Sequence, residues 1–397
     1  MAKDVKARIE KFNEGRNRDL LDYKYEAMRK DSLIFFRGSC HLFYEDFPKN
    51  TGFDSSPLGW ITGDAHLENF GVYKSNDRQV YFDLNDFDEG CLAPISWEIA
   101  RFLTSIYLVF KVNNIDEATA TELAQKFLSH YCQYLGSGKA KHVEEALADH
   151  ITGYLFQQVE KRRRKDFLDK RTEVVNGTRI FKIPQKKIFP LDPARKTTLK
   201  NLFDRWAQQQ KTPAFFKVHD IAIRLAGTGS IGLKRYIFLV EGNGSPDDNY
   251  LIDMKQCPSS SLSNYITVHQ PVWSSQAERI ISIQTRMQYE TPALLSSIDF
   301  EGSSFQIKEL QPQEDKLDFD EHHINEAEWP HVLKTMSNVL ASAQLRSSGR
   351  QGSAIADDLI SFGKSQDWQE PLLEYSRQYA KQVEEDYDSF CQSFTEK

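Results

Sequence analysis

Apolar and polar positions alternate along this chain in two rhythms, and each change of rhythm marks an element boundary. Residues 4–30 read as strongly charged helix, followed by a short apolar segment, Leu33-Ile34-Phe35-Phe36, that ends in Arg37-Gly38. From 58 to 89 the pattern becomes short β-type runs: Trp60-Ile61-Thr62, Phe70 to Tyr73 and Val80 to Phe82. The polar KSNDRQ between the last two predicts a hairpin turn. Helical spacing returns over 95–165 and predicts three helices, the second capped by Asp116 and stopped by Gly136. Residues 172–183 predict a hairpin around Asn176-Gly177, and Pro190 and Pro193 precede a helix over 195–209. The chain is β-rich from 214 to about 257, helical over 274–289, stranded over 294–310 and helical again over 325–397. No internal repeat appears. The expected organisation is a first part, 1–209, of N-terminal helices and loop-rich strands, a β-rich unit at 210–320, and closing helices at 321–397.

Composition narrows the classes open to such a chain. Its 397 residues suit two lobes, each with a sizeable core. A net charge of −7 argues against a general nucleic-acid binder, which needs a basic surface. The one tight basic run, Lys161 to Lys165, continues a helical pattern and reads as a solvated helix end. The cysteines Cys40, Cys91, Cys132, Cys257 and Cys391 are scattered without a CxxC pair, which fits a reducing compartment and no zinc site. The first residues are too charged for a signal peptide, and the apolar stretch Ile106 to Val112 is broken by Lys111. A cytoplasmic protein without nucleic-acid or membrane partners is expected.

Two constellations carry chemistry. The first is Gly63-Asp64-Ala65-His66-Leu67-Glu68-Asn69-Phe70-Gly71, followed one hairpin later by Phe82-Asp83-Leu84-Asn85-Asp86-Phe87-Asp88-Glu89. A hairpin returns the chain to its start, so Asn69 should lie near Asp83 or Asp86. An amide oxygen and a carboxylate converging there make a hard oxygen site suited to Mg²⁺. Asp64 is then free to orient or deprotonate an attacking hydroxyl. GDAH also occurs in metallophosphoesterases, but the remaining histidines show no spaced set that would complete such a site.

The second constellation is Gly227-Thr228-Gly229-Ser230-Ile231-Gly232, followed by β-type Arg235 to Val240, a turn, and a strand from Tyr250 to Met254 that ends at Lys255. No helix follows the glycines, which argues against a dinucleotide turn. Strand, glycine loop, strand, turn and strand with lysine is the layout of a loop that covers nucleotide phosphates. Glu278, on the predicted helix 23 residues after Lys255, is the expected partner of that lysine. Phe305 to Leu310 is the expected strand into a hinge, with adenine meeting backbone groups of Glu309, Leu310 and Gln311.

GDAHLENFG resembles the catalytic loop of aminoglycoside and choline phosphotransferases, and NDFDEG resembles their metal-binding segment. The resemblance implies Asp64 as base, with His66 beside it in the catalytic loop, Asn69 as a Mg²⁺ ligand, and Asp86 or Asp83 as the second ligand. Thr62 stands where that family has histidine. The order is exchanged, with the acidic loops preceding the glycine loop, lysine and glutamate. In this the chain resembles an uncharacterised bacterial family with permuted lobes, whose FLRG-like, GDAHxxNFG, FDxNDFDE and GxGSxG pieces appear here as Phe35-Phe36-Arg37-Gly38 and the motifs above. Gln344, in Leu340 to Ser347, replaces that family's usual histidine. The resemblance implies an α+β, protein-kinase-like, two-lobed and circularly permuted fold. It implies an ATP- and Mg²⁺-dependent phosphotransferase acting on a hydroxyl acceptor. Gly227, Thr228, Gly229, Ser230, Gly232 and Lys255 hold the nucleotide, and Asp64, His66, Lys255 and Glu278 form the catalytic set. AMP transfer and nucleotide binding without turnover are alternatives.

Overall fold

The computed structural model describes residues 4–48, 52–145, 148, 150–183, 187–317, 319, 324 and 327–394. The fold is mixed α+β. Four short helices open it: α1 (Val5–Phe12), α2 (Arg18–Met28), α3 (Ser32–Gly38) and α4 (Cys40–Asp46). Strands β1 (Leu58–Ile61), β2 (Phe70–Lys74), β3 (Val80–Leu84) and β4 (Cys91–Pro94) follow, then α5 (Ile95–Val112), α6 (Glu117–Ser137), α7 (His150–Lys161) and α8 (Arg164–Asp169). Next come β5 (Thr172–Val175), β6 (Thr178–Phe181), β7 (Ile188–Phe189) and α9 (Pro193–Ala207). Strands β8 (Val218–Arg224), β9 (Arg235–Val240) and β10 (Tyr250–Gln256) lead to α10 (Gln276–Met287), then β11 (Ser296–Phe300) and β12 (Ser303–Glu309). Helices α11 (Trp329–Ser347), α12 (Ala356–Lys364) and α13 (Gln369–Gln392) close the chain. No helix among the described residues is long and apolar enough to cross a membrane.

Most element types follow the sequence rhythm. Asp116 caps α6 by accepting from the Thr119 amide, but the stop is Gly138 at φ +66°, two residues beyond Gly136. Asn176 and Gly177 both take positive φ, as a two-residue hairpin turn requires. The expected boundary near 320 lies outside the described residues. The expected start of the β-rich unit at 210 is too late. The antiparallel sheet runs β11-β12-β10-β9-β8-β7, so its edge strand lies at Ile188–Phe189. Helix α9 belongs with it, since Leu199, Phe203 and Trp206 pack against Phe238, Ile252 and Ile307.

Strand alternation gives the sheet two different faces. Tyr236, Phe238, Ile252, Met254, Phe305 and Ile307 point toward α9. The opposite face divides along its length. At one end Ile237, Leu239, Leu251 and Leu310 are covered by Leu168 of α8 and Phe181 of β6. At the other end the same face carries Arg224, Arg235, Asp253, Lys255, Gln306 and Lys308, which line a cleft of about 370 Å³. The main core lies on the far side of that cleft. It joins α5, α6, α11 and α13 to β1–β4, and the buried stripe Ala277, Ile280, Ile283 and Met287 of α10 docks onto it.

Candidate functional site

The acidic loops sit between β1 and β2 and between β3 and β4. The β2–β3 register pairs Phe70 with Leu84, which brings the two loops together. Asn69 joins them: its Oδ1 accepts from the Asp86 amide at 2.8 Å, and its Nδ2 donates to the carbonyls of Asp64 and Asp86 at 3.2 Å each. Gly63 takes φ +75°, and a Cβ there would meet the Glu89 carbonyl at 2.3 Å, so the turn into Asp64 requires glycine.

Asp64 does not stand alone. Its Oδ1 accepts from Arg101 Nε at 2.9 Å and Nη2 at 2.5 Å. The Arg101 side chain is fully buried while that of Asp64 is 23% exposed, so the carboxylate reaches a small cavity from a buried anchor. The guanidinium lies over the Phe36 ring at 3.9 Å, so the FFRG segment supports Asp64 through Arg101. Arg37 itself pairs with Glu68. His66 is buried, and its Nδ1 accepts from the Glu68 amide. Burial, with Arg37 and Arg101 nearby, pushes its pKa well below the usual imidazole value and keeps the ring neutral.

Beneath the loop, Glu98 is fully buried. It accepts from the Thr62 amide and hydroxyl, both at 2.6 Å, and from Gln344 Nε2 at 2.9 Å. The two positions that depart from the resembled families therefore meet on one carboxylate. Burial raises the Glu98 pKa.

Asp86 and Asp83 separate cleanly. Asp83 is buried away from the cleft, where it accepts from the Tyr289 and Leu84 amides and pairs with Arg346 at 3.4 Å. Asp86 faces the cleft, and with Asp88 it flanks the Lys255 ammonium, 3.4 Å from Asp86. Burial alone would raise the Asp86 pKa, but Lys255, Lys316 and Lys308 hold it below the ordinary carboxylate value. Asp88 moves upward, through burial and the neighbouring Asp86 charge. For Lys255 the two carboxylates outweigh desolvation and raise its pKa. Among the described residues no group of three His, Cys, Asp or Glu side chains could hold a metal. The oxygen donors that share the cavity and could hold a cation are Asn69, Asp86 and Asp88, and the Lys255 ammonium pairs with the two carboxylates.

The glycine loop closes over this cluster. Residues Gly227, Thr228, Gly229 and Ser230 share a small cavity with Asp64, His66, Asn69, Asp86 and Asp88. Gly227 and Gly232 take φ +75° and +94°. The Gly229 carbonyl accepts from Arg16 at 2.7 Å and from the buried Lys24 at 3.3 Å, and the Gly232 carbonyl accepts from the Asn17 amide. The N-terminal helices thus fix the outer side of the loop.

Two expectations are corrected. Glu278 is not the partner of Lys255. It is exposed and accepts from the amide and hydroxyl of Ser274 at the start of α10. Its neighbour Arg279 turns inward instead and donates to the carbonyls of Gly90, Asp88 and Pro258. The signal was in the spacing: Ile283 minus four is 279, on the buried stripe, whereas 278 falls off it. The hinge is also not open as expected. The amides of Glu309 and Leu310 are bonded to the carbonyls of Ala293 and Leu251. The Glu309 side chain pairs with Arg78 and Arg164, in a separate cavity on the far side. Gln311 does reach the cleft, where its Nε2 donates to Val72 and Asn85. Arg101, Asp88, Arg279, Lys308 and Lys316 are site residues that the motifs did not single out.

The chain belongs to the bacterial family described as "uncharacterized protein conserved in bacteria" (DUF2252), which matches residues 16–393. No curated protein and no solved structure matches it.

Proposed function

We propose that this member of the family is an ATP- and Mg²⁺-dependent phosphotransferase with the two lobes of a protein-kinase-like fold in exchanged order. The observation that carries the reading is the meeting of two distant motifs: Asp64, Asn69 and Asp86 share a cavity with the Gly227–Ser230 loop, and Asp86 pairs with Lys255. The topology supports it. The glycine loop joins the first two long strands of the sheet, Lys255 lies on the third, and α10 follows before the last two. That is the order of phosphate-binding parts in a kinase small lobe, here placed after the acidic loops.

In this reading the glycine-loop amides and Lys255 hold the nucleotide phosphates. Asn69, Asp86 and Asp88 would hold Mg²⁺, which would supply charge neutralisation at the transferring group. Lys255 would exchange its contacts to the two carboxylates for contacts to the phosphates. Asp64, fixed by Arg101, accepts the acceptor's hydroxyl proton as its oxygen bonds to the γ-phosphorus and the bond to ADP breaks. Neutral His66 contributes by shaping the loop, and catalysis rests on positioning and charge.

Thermal unfolding tests the reading. Mg²⁺·ATP at a hundredfold excess over Kd stabilises the folded state by about 2.7 kcal/mol. The resulting rise in Tm should vanish in Lys255→Ala. An unchanged midpoint at millimolar Mg²⁺·ATP sinks the assignment. Once an acceptor is found, ADP release marks phosphoryl transfer and pyrophosphate release marks AMP transfer.

A further inference from the structure

The sheet wall of the cleft is built for anions rather than for a purine. A neutral base buries its faces against apolar side chains. On this wall the apolar end, with Leu239, Leu251 and Leu310, is closed off by Leu168 and Phe181. What remains open is charged. Arg224 and Arg235 share the single carboxylate of Asp253, at 3.1 Å and within hydrogen-bond reach, so two guanidinium groups pair with one carboxylate. Arg224 Nη1 is buried and misaligned with that carboxylate, which leaves it without a hydrogen-bond acceptor. Lys308 is the cross-strand partner of Asp253 and points to the same face. Lys316 lies in the linker after β12, bridged to Gly71 beside the catalytic loop, and lines the same cleft. Among the described residues neither lysine has an ion-pair partner. Burial lowers both pKa values, that of Lys316 to about 7, and an anion bound beside them would favour their charged forms. Apolar side chains line the cleft away from the strands: Tyr23, Ala27, Leu33 and Ile34 on α2 and α3, and Leu317 and Phe319 just beyond Lys316.

We propose that Arg224, Lys308 and Lys316 form a polyphosphate-binding wall, distinct in position from the Lys255 contact, that takes the phosphate groups of a ligand while its apolar part lies toward α2 and α3. This rests on the cleft being the nucleotide site proposed above. Two ligands share the chemistry: the nucleotide's own triphosphate, running along the sheet, or a phosphorylated acceptor.

The test uses the full chain and sodium tripolyphosphate without Mg²⁺. Tripolyphosphate should raise the Tm of the wild type, adenosine should not, and Lys308→Met and Lys316→Met should each weaken the apparent affinity about tenfold or more. Each variant removes an unpaired half-buried charge, so folding is retained. An equal rise in both variants, or a rise with adenosine alone, overturns the proposal. If Mg²⁺·ATP stabilises through Lys255 while tripolyphosphate ignores Lys308, the wall fails and the kinase reading stands. If tripolyphosphate binds through Lys308 while Mg²⁺·ATP does nothing, the reverse holds. With Mg²⁺·ATP saturating, a further rise assigns the wall to the acceptor's phosphate, and no further rise assigns it to the nucleotide.

Discussion

The acidic-loop side of the molecule and the sheet wall of the cleft treat much of their buried charge differently. On the helical side the charges are committed. Asp64 is held by Arg101, Asp83 by Arg346 and two amides, and Glu98 by Thr62 and Gln344. On the sheet side two arginines crowd one aspartate, and Lys308 and Lys316 have no ion-pair partner among the described residues. Committed charge fixes geometry, because breaking one contact strands the other group. Uncommitted buried charge costs stability, and an anion that pairs with it offsets that cost. The helical wall is thus a rigid frame for Asp64 and Asn69, and the sheet wall is a surface held ready for an anion.

The sharpest way to break the contrast is to remove the buried carboxylate under the frame. Glu98→Ala leaves a backbone amide, a hydroxyl and a side-chain amide without an acceptor, and should cost about 3–5 kcal/mol in denaturant unfolding. A loss below about 1 kcal/mol would mean that the frame is held elsewhere. The opposite effect is expected across the cleft. The Lys316 pKa, pushed down by burial to about 7, lies below the ordinary lysine value that it regains on unfolding. Below that folded-state pKa its charge opposes folding. Between it and the ordinary value the unfolded chain holds a proton that the folded chain lacks, so stability climbs with pH. Lys316→Met should therefore be more stable than wild type near about pH 6, and the gap should close toward about pH 9. A constant gap over that range would show that Lys316 is not the group that titrates.

The frame was more legible in sequence than the wall. Asn69 and Asp86 are brought together by a hairpin, and a hairpin is local: turn residues and alternation suffice to predict it. Asp83 and Asp86 could not be told apart from spacing, because what divides them is the distant amide of Tyr289 and the distant Arg346. Arg101 was hidden for the same reason. It lies on α5, in a run that reads as continuous core, and only tertiary packing brings it to Asp64. Period-two alternation does place Asp253, Lys255, Gln306 and Lys308 on one face. It does not show that α8 and β6 cover the apolar end of that face. Arg279 is the one missed residue whose position the local helical spacing already marked.

The smallest expected effect bears on Glu278. Its exposed side chain accepts from Ser274 at the start of α10, while Lys255 is held by Asp86 and Asp88. Lys255 needs a carboxylate only while its charge is otherwise unbalanced. The acidic loop already supplies two, and nucleotide phosphates would replace them. Glu278→Ala should therefore leave the Lys255-dependent Tm rise with Mg²⁺·ATP unchanged and shift the ligand-free midpoint only slightly, through the lost cap. The comparison variant is Arg279→Met, which removes three bonds to the carbonyls of Gly90, Asp88 and Pro258 around the second acidic loop and should weaken that rise. If Glu278→Ala instead abolished the rise as Lys255→Ala does, α10 would have to rotate on nucleotide binding and bring Glu278 to the lysine. The off-stripe position of Glu278 would then mark the open state of a closing cleft rather than a solvated cap.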